Sequence, residues 1–201
     1  MTPVLNPHKS SVVSQSFFAR WFGWRVIHSS LREEAYAFGN FTDEARRFLD
    51  RTWIIQPPDG VAWLAAKMAA LTPRWVPGTG SWIRTGEPTG LACPPFFTFL
   101  TSAYLDVPTL AHEFTHHVYE RLPRPLKRQF LTDYHRLLDT HPQFAFYMKH
   151  QSGMEQYGNP RDVRELHQRV IEFFNYGRAP MPEYLRKYYQ RHFHLRLSDS
   201  T

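Results

Sequence analysis

The chain has 201 residues, 42% of them hydrophobic and 16% aromatic, which supplies a core for one domain and excludes global disorder. Its single cysteine, Cys93, excludes an intrachain disulfide framework and a cysteine-rich zinc site, and fits a reducing compartment. The formal charge of +6 is concentrated in residues 121–136 and 161–196; with no nucleic-acid-binding motif beside it, it reads as a solvated basic face.

No run of about 18 apolar residues occurs, so no membrane-spanning helix is expected. Residues 1–16, MTPVLNPHKSSVVSQS, carry no acid and no continuous apolar stretch. They read as a mobile leader without an ordinary signal peptide, ahead of a single domain over 17–201. The expected location is the cytoplasm, or outside the cell by a route needing no such signal. Phe17 to Trp24 is aromatic and is expected to dock on the domain. Thr42 to Trp53 predicts a helix with Thr42 as N-cap and acids in its first turn. Pro57-Pro58-Asp59-Gly60 predicts a turn, and the Ala-rich Val61 to Leu71 a second helix. From Pro73 to Pro95, short apolar bursts at Ser81-Trp82-Ile83 and Leu91-Ala92-Cys93 predict short strands between turns. Phe96 to Leu100 is a stronger strand candidate.

The next stretch, Asp106 to Leu122, organises the functional reading. It contains His112-Glu113-Phe114-Thr115-His116, the H-E-x-x-H pattern of zinc metalloproteases. Residues four apart on a helix lie on one face, one turn above the other, so two imidazoles so spaced reach one Zn²⁺. Glu113 then sits beside the metal rather than on it, placed to take a proton from an activated water. Asp106 or Val107 starts the helix, Pro108 suits its first turn, and Pro123 ends it. At about 100° per residue, Val107, Leu110, Ala111, Phe114, Val118 and Leu122 fall in one arc of roughly 120°, with His112, Glu113 and His116 opposite. His117 points about 140° from His112 and reads as a packed or surface histidine.

Beyond Pro123, Leu126 to Leu138 predicts a helix, followed by a polar region. Another is signalled over 160–176 by Asn159 as cap, Pro160 at its first position, Asp162 in its first turn and Gly177 at its end. Pro182 to Phe193 predicts a last, aromatic and basic helix.

A catalytic zinc takes three protein ligands and leaves one position open. A metzincin would need histidine at position 122, which is Leu122. The remaining candidates are Glu155, Glu165, Glu172 and Glu183. Glu165 and Glu172 share one face of the 160–176 helix, with Arg169 between them; the competing reading is a solvated Glu165–Arg169 pair. His135, His141, His150 and His167 read as polar surface, one of them a reserve third ligand. Cys93, beside Pro94-Pro95, reads as structural.

These residues, with Tyr157-Gly158 and Glu172-Phe173-Phe174, resemble the pattern of Glu-zincins, in particular the anthrax-lethal-factor-like peptidases and the Mlc titration factor family. The resemblance covers roughly residues 96–190. It departs at Thr115, where those families often have glycine, and at Leu166-His167-Gln168. It implies an α+β, zincin-like fold: a small mixed sheet with an edge strand beside the H-E-x-x-H helix, then a mostly helical C-terminal part. Such an edge strand pairs with an extended peptide; which strand forms it is left open. The resemblance also implies Glu165 as third ligand, Glu172 in support, and Tyr157 steadying the transition-state oxyanion. The expected function is a zinc-dependent endopeptidase with one Zn²⁺ per chain, Glu113 as general base and a protein or peptide substrate, with no nucleic-acid partner. The alternatives are a peptidase-like protein that mainly sequesters a regulatory protein, or a secreted effector or toxin protease.

Overall fold

The computed structural model describes residues 25–26, 30–57, 90–100, 106–150, 163–175 and 180–197. In chain order they form β1 (Arg25–Val26), α1 (Ser30–Phe38), α2 (Asp43–Leu49), β2 (Trp53–Gln56), β3 (Gly90–Cys93), β4 (Phe97–Leu100), α3 (Val107–Arg121), α4 (Arg124–Thr140), α5 (Pro142–His150), α6 (Val163–Asn175) and α7 (Glu183–His192). The class is α+β: a small mixed sheet followed by a mostly helical C-terminal part. The leader, Phe17 to Trp24, the expected helix at Val61 to Leu71, the Ser81-Trp82-Ile83 burst, Glu155 and Tyr157 lie outside the described residues, as do Asn159, Pro160, Asp162 and Gly177. No described helix is long and apolar enough to cross a membrane.

The sheet runs β1-β2-β4-β3. β4 lies parallel to β2, with Trp53 opposite Phe97, and antiparallel to β3, with Gly90 opposite Leu100 and Cys93 opposite Phe97. β4 is therefore interior, and Thr98, Phe99 and Leu100 are buried in succession, the pattern of a strand covered on both faces. β3 is an edge among the described residues, and α3 packs directly against it.

Thr42 caps α2, its hydroxyl accepting from Ala45 N–H. The helix ends at Leu49, short of the expected Trp53, which opens β2 instead. The cause is tertiary. The Arg32 guanidinium on α1 donates to the carbonyls of Leu49, at 2.6 Å, and Thr52, so a side chain meets groups that another helical turn would have used.

α3 forms where its signals put it. Asp106 accepts from Thr109 N–H at 2.8 Å, Pro108 sits in the first turn, and Leu122 is already extended. Its apolar arc packs as expected, with Phe114 against Tyr36 at 5.3 Å and Phe41 at 6.3 Å between ring centres. The opposite face is not open: α6 and β3 cover it, and Glu113, Thr115, His116 and His117 are all buried. α4 extends past both ends of the expected segment. α5 fills part of the expected polar region with a helix, because Phe144 and Tyr147 pack against Phe173 of α6, each at 5.2 Å.

Candidate metal centre

His112 and His116 stand one turn apart on α3, and their Nε2 atoms are 3.0 Å from each other. Glu165, in the first turn of α6, turns its carboxylate into the same space. Its Oε1 is 3.2 Å from His116 Nε2 and its Oε2 is 3.6 Å from His112 Nε2. Ligand atoms bonded to a tetrahedral Zn²⁺ at about 2.0–2.1 Å lie about 3.3 Å from one another. The three separations bracket that spacing, so the donor set fits such an ion. The charges fit as well. Two imidazole nitrogens and a carboxylate this close cannot all present lone pairs to each other; a proton or a cation has to lie among them.

Glu165 is 2% exposed, so it does not lie on a solvated face as the competing reading of a Glu165–Arg169 pair required. Burial works against its charge, but His116, His112 and Arg169 outweigh burial and hold its carboxyl well below the usual carboxylate range. Arg169 donates instead to Glu172 Oε2 at 2.6 Å.

Glu172 does not compete for the same position, because it meets the other nitrogen of His112, Oε1 lying 3.3 Å from Nδ1. The Gln168 amide at 3.2 Å and the Tyr147 hydroxyl at 3.3 Å also donate to its carboxylate. A carboxylate on the far nitrogen of a ligating histidine fixes the ring's tautomer and orientation. The structure thus puts Glu165 and Glu172 on opposite sides of one imidazole.

Glu113 is the second carboxylate near the pair, and atoms of His112, Glu113 and His116 lie within 4.8 Å of one another. Each oxygen of Glu165 faces an Nε2 of the pair, and its carboxyl stays ionised. Burial, with Glu165 adding to it against the opposing pull of His112, pushes the Glu113 carboxyl up to about 7, where an acid exchanges protons readily. Glu113 also accepts from the Ala92 N–H of β3, while its Oε2 is buried with no partner among the described residues.

The remaining histidines divide. His117 is packed: its Nε2 lies 2.9 Å from Thr98 Oγ1, tying α3 to β4. His167 was expected at the surface, yet it is fully buried. Its ring stacks on Phe130 at 3.4 Å and its Nδ1 lies 3.2 Å from the Tyr189 hydroxyl, so it is not a reserve ligand. His135 and His150 are exposed and His141 is half-buried; none joins the cluster among the described residues. Glu183 is exposed and paired with Lys187. Burial pushes the Cys93 thiol up to about 12, as suits a structural rather than nucleophilic cysteine. Sequence reasoning missed Tyr147, Gln168 and Ala92. Gln168 was findable, four residues before Glu172 on one helix face; Tyr147 and Ala92 arrive from other elements and leave no local signal.

In comparisons with known proteins, no family model, curated protein or solved structure matches this chain.

Proposed function

We propose that this chain is a zinc-dependent endopeptidase of zincin-like fold, holding one Zn²⁺ through His112, His116 and Glu165. One observation carries the reading. Three donors from two separate helices converge within 3.0–3.6 Å of one another, two of them in the H-E-x-x-H spacing. When bound, the ion lowers the pKa of water toward neutrality and polarises a carbonyl.

The chain's own residues supply the rest. Glu113, whose buried Oε2 has no partner among the described residues, takes the proton of the attacking water and passes it to the leaving amine. Glu172 holds the His112 ring through Nδ1, and is itself held by Arg169, Gln168 and Tyr147. β3, an edge among the described residues, would receive an extended peptide beside Glu113. Tyr157 is proposed as an oxyanion donor on the resemblance alone.

The test is zinc content by elemental mass spectrometry, with cleavage of a mixed peptide library before and after chelation. Glu113→Gln is expected to keep the metal and lose turnover; cleavage at the wild-type rate would remove Glu113 as general base. A chain that holds one zinc and cleaves nothing overturns the peptidase reading in favour of a protein that sequesters a regulator.

A further inference from the structure

Glu113 is wedged against the edge strand. A Cβ placed on Gly90 would lie 2.5 Å from Glu113 Oε1 and 2.9 Å from both its Cδ and Cγ. Comfortable non-bonded contacts between such atoms begin near about 3.5 Å. The carboxyl therefore occupies the volume that the first side-chain atom of any other residue would fill. The backbone does not require glycine here, since Gly90 lies outside the left-handed region. Glycine also weakens a strand, and Gly90 is paired with Leu100 in the sheet.

A flexible acid could swing away from a new methyl group, but Glu113 has little freedom to do so. The residue is 3% exposed, it accepts from Ala92 N–H, and the histidine pair lies beside it.

We propose that Gly90 is a positioning residue: its missing side chain is the socket that seats the Glu113 carboxyl, with the Ala92 N–H anchoring the acid and leaving Oε2 for the reacting water. The packing half of this claim stands on geometry alone. The catalytic half rests on the reading of Glu113 as general base.

The two halves separate in one set of full-length variants. Chemical denaturation of wild type, Gly90→Ala, Glu113→Ala and the double variant reads the packing. Gly90→Ala is expected to lower the midpoint in wild type and to leave it unchanged or raise it in the Glu113→Ala background, where the methyl group has room and glycine's excess unfolded-state freedom is removed. If Gly90→Ala does not fold by itself, refolding in the double variant supports the socket equally. An equal loss in both backgrounds overturns it.

Steady-state kinetics and zinc content read the catalytic half. Gly90→Ala is expected to keep about one zinc per chain and a near-normal KM. Its kcat should fall about tenfold or more, up to the about 10²–10⁴-fold that a positioned base supplies in full. Wild-type kcat in Gly90→Ala overturns the positioning role. Absence of cleavage by wild type overturns the peptidase reading, while the denaturation cycle still decides the socket.

Discussion

α6 carries two buried environments two residues apart, and they treat a histidine ring in opposite ways. On one side, Glu165 and Glu172 bracket His112, and Glu165 also meets His116. On the other, His167 is enclosed by Phe130, Tyr188, Tyr189 and Phe193, with Tyr119 beside it. Carboxylates favour a positive charge between the rings they face, which a proton or a cation can supply. Aromatic walls do not, and burial, with Lys127 and His116 acting the same way, holds His167 well below its ordinary pKa. His116 and His167 are both buried; the chemistry of the wall decides whether a buried imidazole faces charge or an aromatic core.

The comparison breaks most decisively at Glu165. Glu165→Gln removes the anion that completes the donor set, so zinc content should fall far below one per chain and cleavage should vanish, read by elemental mass spectrometry and peptide assay. Next is the aromatic side. Phe130→Ala should cost about 3–5 kcal/mol of stability in denaturant titrations, while the folded fraction still binds zinc. Glu172→Gln should weaken zinc binding about 10–100-fold in competition with a chelator, because a neutral amide replaces the charged acceptor on His112 Nδ1.

The smallest effect concerns pH. His167 has a folded-state pKa below its unfolded value of 6.5, so the unfolded chain binds more protons between the two. Its contribution is fully present above about pH 6.5 and is lost as the pH falls toward the folded value. His167→Phe should therefore show a shallower decline of the denaturation midpoint below pH 6.5 than wild type. An unchanged slope would mean that His167 is not buried neutral.

Much of α3 was legible before the fold was known, because its signals are local. Asp106, Pro108 and Pro123 act on backbone groups within one turn, and the H-E-x-x-H spacing is a property of the helix itself. The same holds for the Thr42 cap, and for the seven-residue spacing that puts Glu165 and Glu172 on one face. The end of α2 was not legible, since Arg32 reaches it from another helix. The burial of His167 was legible in part, since a wheel at about 100° per residue sets it about 20° from Phe174, beside the apolar arc of its helix; the identity of the rings that cover it was not, because α4 and α7 supply them. The place of Gly90 under Glu113 was hidden for the same reason, the two residues lying on separate elements.

The amino-acid order by itself determined a capped helix with two imidazoles on one face and an acid between them, because hydrogen bonds and side-chain directions within a helix repeat every few residues. Only the tertiary structure decided which nitrogen of His112 each later carboxylate meets, which strand lies against Glu113, and which histidine enters an aromatic core. Those choices depend on distances between segments far apart in the chain, and such distances exist only once the helices and the sheet have packed.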